Sequence, residues 1–128
     1  MRIKDEEDDM TEIKKIFFKH HYFKLDSPVF PTVRGKSWIN VQTDDTVLVI
    51  DKKLNLEYEV VVLENRLMQI EDLSYAFIRW DGTYADELGI HVIKDHHDFV
   101  DLLNSFRRFN KIKSIEEEVC VLWLLKEK

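Results

Sequence analysis

Thiols are almost missing from this chain of 128 residues, where Cys120 stands alone. A lone cysteine excludes an intrachain disulfide and fits a reducing compartment. Glycine (three) and proline (two) are scarce, which argues against linkers and low-complexity tracts. No internal repeat is visible. No apolar run approaches the roughly 20 residues of a transmembrane helix. The charged start is not a signal peptide. No membrane partner is expected, and the expected location is cytoplasmic.

What is present suits one globular domain. The chain is 45% hydrophobic and 12% aromatic, and a chain of this length buries roughly two-thirds of its unfolded surface. The net charge of -6 weakens non-specific attraction to phosphate backbones, but its distribution is uneven. Asp5, Glu6, Glu7, Asp8 and Asp9 mark residues 1–12 as an acidic tail ahead of a domain over 13–128. From Thr11 to Lys36 the balance reverses. Lys14, Lys15, Lys19, Lys24, Arg34 and Lys36 face only Glu12 and Asp26, a net of +4.

The pattern of residues predicts the order of elements. Ile13 to Lys19 suits a strand or a helix start equally, and so does His20 to Leu25. Asp26-Ser27-Pro28 reads as a turn. Val29 to Arg34 reads as an extended piece that Pro31 confines to an edge, and Gly35 permits a positive φ. After a turn at Thr43-Asp44-Asp45, Thr46 to Ile50 is a β-branched run. A polar loop at 51–55 leads to Leu56–Leu63, which makes an antiparallel hairpin the simplest arrangement. Ile70-Glu71-Asp72-Leu73 is expected to open a helix whose apolar face is Leu73, Ala76, Phe77 and Trp80, with Gly82 as its C-terminal cap. Thr83 to Gly89 reads as a loop. Asp95 is the N-cap of a second helix with Asp98 completing an approximate capping box. Its face is Phe99, Leu102, Leu103 and Phe106, and Arg107 and Arg108 suit its end. Glu118 to Leu125 is apolar enough for a central strand.

Several side chains carry possible chemistry, and each has a plain structural alternative. Arg34 and Lys36 flank Gly35 and are suited to hold a phosphate, or else Arg34 pairs with an acid at the surface. Trp38 and Trp80 either stack on a base or pack in the core, whereas Trp123 reads as core. His20-His21 and His96-His97 lack metal-ligand spacing, so no metal is expected. Cys120 lies between valines and reads as an inert buried thiol.

The order of these elements resembles that of an ASCH domain, a member of the PUA-like β-barrel superfamily. Thr32-Val33-Arg34 resembles the family's Thr-Ile-Arg strand. Thr43-Asp44-Asp45-Thr46-Val47-Leu48 resembles its Gly-Asp turn into a strand, with Asp44 at the glycine. Tyr58 to Leu63 followed by Ile70-Glu71-Asp72-Leu73, then Phe99 to Phe106 and Val119 to Leu125, resemble the rest. The likeness covers about residues 13–126. It implies an α+β fold, a small barrel of about five or six strands with two or three flanking helices. It also implies a cleft that binds RNA or a nucleotide. One subgroup hydrolyses the acetyl amide of N4-acetylcytidine with a lysine, a threonine and a glutamate. By this resemblance the threonine falls on Thr32, the glutamate on Asp81 and the lysine on Val29, while Pro28 replaces the glycine before that lysine.

The first expectation is an RNA- or nucleotide-binding module without a cofactor. Arg34 and Lys36 would contact phosphate, Trp38 or Trp80 would stack, and Thr32 and Asp81 would line the cleft. The second is an amidohydrolase. Valine is no base, so catalysis by Thr32 and Asp81 would require Lys19, Lys24 or Lys36 to stand in. The third is a module that binds a protein partner through its acidic surface.

Overall fold

The computed structural model describes residues 13–105 and 112–126. The acidic stretch 1–12 and Phe106, Arg107 and Arg108 lie outside the described residues.

Hydrophobic periodicity organises a mixed sheet of five strands. These are β1 (Lys14–Phe18), β2 (Val29–Arg34), β3 (Thr46–Asp51), β4 (Leu56–Gln69) and β7 (Glu118–Lys126), in the order β1-β3-β4-β7-β2. Only β1 and β3 run parallel. The first ambiguous stretch is therefore a strand. Its alternation sets Ile16 and Phe18 in the core while Phe17 faces out under Lys52. The expected hairpin forms, with Thr46 opposite Val61 and Asp51 opposite Leu56. Two residues in left-handed geometry make its turns, Asp44 at φ 77° and Asn55 at φ 57°. Short polar side chains tolerate that geometry best after glycine. Pro31 sits where its missing N–H costs least, on an edge strand opposite Trp123.

Strand β7 lies between β4 and β2 and is buried on both faces, which accounts for its unbroken apolar run. Cys120, Leu122 and Leu124 enter one core with Phe18, Phe30, Val49 and Val60. Val119 and Val121 enter a second core with Val33, Ile78, Phe99 and Leu103. The sheet curls, because Phe18 and Phe30 come from its two opposite edges and yet their rings meet at 6.5 Å. The long β4 pairs with β3 over residues 56–61 and with β7 over residues 60–69, and a register shift between Val62 and Glu64 interrupts the second pairing. Asn65 beside it donates to the carbonyls of Trp38 (2.9 Å) and Val41 (2.8 Å) and ties down the loop before β3.

Two α-helices cover the outer core. Helix α1 (Tyr75–Gly82) begins one turn later than expected, because Ser74 caps it by accepting from the Phe77 N–H at 3.1 Å. Ile70–Asp72 forms a separate 3-10 turn. Only part of the expected apolar face is buried: Leu73 lies in the outer core and Phe77 packs against it. Ile78, Asp81 and Gly82 are buried, while Ala76 is exposed and Trp80 stays 36% exposed. Gly82 is a helical residue and not a left-handed cap; Thr83 caps the helix at φ −83°. A Cβ on Gly82 would lie 2.7 Å from Ile93 Cγ1, so a tight helix approach explains the glycine. Gly35 likewise adopts φ −70°, an ordinary extended geometry.

Thr83 to Gly89 is not simply a loop. Tyr84–Asp86 (β5) and Gly89–His91 (β6) pair as a short hairpin, with Gly89 at φ 123°. Helix α2 (His96–Asn104) starts at Asp95 as expected, and the Asp98 N–H donates to Asp95 Oδ1 at 2.8 Å. The return bond of the capping box shifts by one residue, from the Lys94 N–H to Asp98 Oδ2.

Candidate functional site

Between β1 and β2 the chain makes a 3-10 turn over Phe23–Asp26, which carries Lys24. Two contacts hold this turn against the end of α1. Tyr22 bridges to Tyr84, and the Phe23 N–H donates to the Thr83 carbonyl at 3.1 Å. Lys24 is thereby driven inward, 2% exposed, and its Nζ donates to Asp81 Oδ1 at 2.7 Å. Strand β2 adds Thr32 (1% exposed) and Arg34 (7% exposed) from its inward-facing positions. Tyr22, Lys24, Thr32, Arg34 and Asp81 line one chamber of about 20 Å³, room for a single water-sized group.

The chamber has an apolar wall. The Lys24 ammonium lies 5.2 Å from the Phe18 ring centre and 5.6 Å from that of Tyr22, and the Arg34 guanidinium lies 5.4 Å from Phe18. Burial lowers the Lys24 pKa, Asp81 works against the shift, and Arg34 adds to it. Burial, then the charge of Asp81, pushes the Tyr22 phenol well above its ordinary range. The Tyr22 hydroxyl has no hydrogen-bond partner among the described residues. The chamber thus holds a lysine whose pKa burial lowers, a carboxylate that orients it, a threonine hydroxyl and further donors. That donor set suits nucleophilic attack on a carbonyl with a lysine base.

Thr32 and Asp81 both line the chamber, and Asp81 lies within the last turn of the helix. Of the three lysines able to replace the one lost at Val29, Lys24 is the one that meets Asp81. The phosphate-holding pair is not assembled. Arg34 turns into the barrel, whereas Lys36 is exposed and faces Glu118 at 3.9 Å. Trp38 is a core residue, 6% exposed, beneath Lys14, so no open ring face remains for a base. Trp80 is partly exposed, yet it lies against Trp123 at 6.1 Å, outside the chamber lining. Cys120 is fully buried, and burial pushes its thiol up. His96 Nε2 bonds the Leu73 carbonyl at 2.6 Å. Among the described residues no group of three or more histidine, cysteine or acidic side chains could hold a metal ion. No described helix is long and apolar enough to cross a membrane.

Tyr22 had escaped sequence reasoning altogether. The signal was a lysine set among Tyr22, Phe23 and Leu25, where a solvated charge is out of place.

Comparison with known proteins adds a relative. The chain is 30% identical over 115 residues to an uncharacterized protein of Methanocaldococcus jannaschii, a match that covers 88% of this chain and 96% of that protein. No family model matches the chain, and no solved structure matches it.

Proposed function

Because the chain belongs to the same family as the uncharacterized Methanocaldococcus jannaschii protein, we propose its function from the chamber: hydrolysis of a small amide, with Thr32 as nucleophile, Lys24 as base and Asp81 as the group that positions Lys24. One observation carries this reading, the buried ion pair of Lys24 and Asp81 in the same chamber as Thr32. A buried pair is a poor source of stability, because desolvation offsets most of its attraction. A lysine with a lowered pKa beside a hydroxyl has an obvious catalytic use.

In this mechanism Thr32 Oγ1 attacks the amide carbonyl and its proton passes to Lys24 Nζ. The C–O bond forms and the carbonyl π pair moves onto oxygen, which Arg34 and Tyr22 stabilise. Collapse breaks the C–N bond, and the Lys24 ammonium returns the proton to the leaving amine. Water, deprotonated by Lys24, then adds to the acyl-threonine carbonyl; collapse breaks the C–O bond to Thr32, and Lys24 returns the proton to Thr32 Oγ1 as the acid leaves. A chamber of about 20 Å³ has room for one water-sized group, such as the carbonyl oxygen or the methyl of a small acyl group. The ASCH resemblance supports an N-acetylated nucleoside as substrate, with Lys24 replacing the lysine absent at position 29. The curled sheet with helices on one flank supports a PUA-like classification. The single buried thiol supports a cytoplasmic setting.

The binding-module reading has less support, since Arg34 is buried and Lys36 points elsewhere. A protein-binding acidic surface rests on residues outside the described ones.

The test is chromatography of N4-acetylcytidine and simple N-acetyl amides incubated with the protein. Turnover should fall at least about 100-fold in Thr32→Val and Lys24→Met and survive in Lys36→Ala. No turnover of any of these amides, or full turnover by Thr32→Val, would sink the proposal.

A further inference from the structure

A second cavity, about 440 Å³ and open to solvent, adjoins the chamber. Leu102 lines both, and the neighbours Asp81 and Gly82 line the chamber and the cleft respectively. One wall of the cleft is a pile of rings. His20 stacks on Tyr84 at 3.8 Å with 9° between planes, and Tyr84 stacks on His91 at 4.7 Å with 20°. The pile is held from behind. His91 Nε2 bonds Asp86 at 2.9 Å, and the Tyr22 ring meets Tyr84 edge-on at 5.4 Å. The His91 side chain is 40% exposed, so ring surface remains for a ligand. Helix α2 adds Asp98 and Asp101 to the lining of the cleft, with Lys19 as the cation of this lining.

We infer that this cleft is the subsite for the leaving group of the proposed reaction, and that it takes a neutral aminated heterocycle in preference to a phosphorylated one. The inference rests on the chamber reading for the identity of the reaction but not for binding. A stacked aromatic wall accepts any planar ring. The two α2 carboxylates accept amine and amide N–H groups and repel phosphate, and one lysine does not reverse that balance. Burial, then the adjacent Lys19, lowers the His20 pKa. The tunnel-like order is then ring in the cleft, acyl group in the chamber, and Tyr22 beside both.

Calorimetric titration of the full chain with cytidine and with cytidine 5′-monophosphate tests this. Cytidine should bind at least about 10-fold tighter than its monophosphate. His91→Ala should weaken cytidine about 10-fold, with His91→Gln as the variant that keeps the bond to Asp86 and loses the same stacking. Asp101→Lys should reverse the preference. Equal or tighter binding of the monophosphate, no binding of cytidine, or affinities that neither His91 variant moves would overturn the inference. Cytidine binding that depends on His91, in a protein that turns over no amide, upholds the cleft and refutes only the chamber. Turnover with no such dependence refutes only the cleft.

Discussion

The Lys24–Asp81 pair offers a sharp physical test. Removing one partner leaves the other charge buried without compensation, which typically costs about 3–5 kcal/mol. An independent bound agrees. With Asp81 replaced by leucine, Lys24 at neutral pH can shed its proton instead of staying charged. From its ordinary 10.5 down to pH 7 that costs at most about 5 kcal/mol. Replacing both partners, as Lys24→Met with Asp81→Leu, removes the desolvation problem as well as the attraction. The double variant should stay within about 1 kcal/mol of the parent, which sets a coupling of about 5 kcal/mol or more against the sum of the two single losses. For a domain of this size each kcal/mol moves Tm by about 4 °C, so each single variant should melt about 12–20 °C lower and the double should nearly recover. Urea denaturation followed by tryptophan fluorescence reads the cycle. In Asp81→Leu the unfolded chain binds the Lys24 proton more tightly than the folded one. Stability should therefore rise with pH toward 10.5. The rise ends near pH 10, where Tyr22 and Tyr58 ionise first in the unfolded chain; burial and the charges of Asp51 and Asp26 push Tyr58 up to about 12. Single variants within about 1 kcal/mol of the parent, or a double that loses the sum of the singles, would refute the reasoning.

Two further outcomes follow from the geometry. Gly82→Ala should lose about 1–2 kcal/mol, because its Cβ would press on Ile93 Cγ1 at 2.7 Å and Leu102 Cδ2 at 2.9 Å while helix propensity returns only part; an unchanged urea midpoint would exclude the tight approach as the reason for the glycine. At His21 burial acts to lower the pKa, but hydrogen bonds with Asp51 (2.6 Å) and Asp26 (2.8 Å) outweigh it and raise the group above 6.5, so its stabilisation is complete below pH 6.5 and is lost as pH rises through the raised value; the fall of Tm across about pH 6–8 should flatten in His21→Gln, and parallel profiles would contradict the assignment.

Local rules located some of the turns, edges and caps. Pro31 on an edge strand, Asp44 in left-handed geometry and Asp95 as an N-cap each follow from one residue's own stereochemistry. Periodicity served well for β3, β7 and the first half of β4, which continues beyond Leu63 to Gln69. It failed on α1, where an apolar stripe was assumed to be the buried one. The helix instead buries Asp81 and Gly82, because the groups that receive them are a lysine 57 residues earlier and a close-packed Ile93. The short hairpin of β5 and β6 also escaped notice, since strands of three residues carry no measurable alternation.

The sequence by itself determined most of the longer elements and some of their ends, because φ preferences, caps and side-chain alternation act within a few residues. It also placed Thr32 and Asp81 among the candidates. Only the tertiary structure decided the site. Whether a charged side chain points to water or into a chamber depends on partners distant in the chain, and desolvation acts on the assembled environment. That assembly turned Arg34 and Trp38 inward and Lys36 outward, and it set Lys24 against Asp81 beside Thr32.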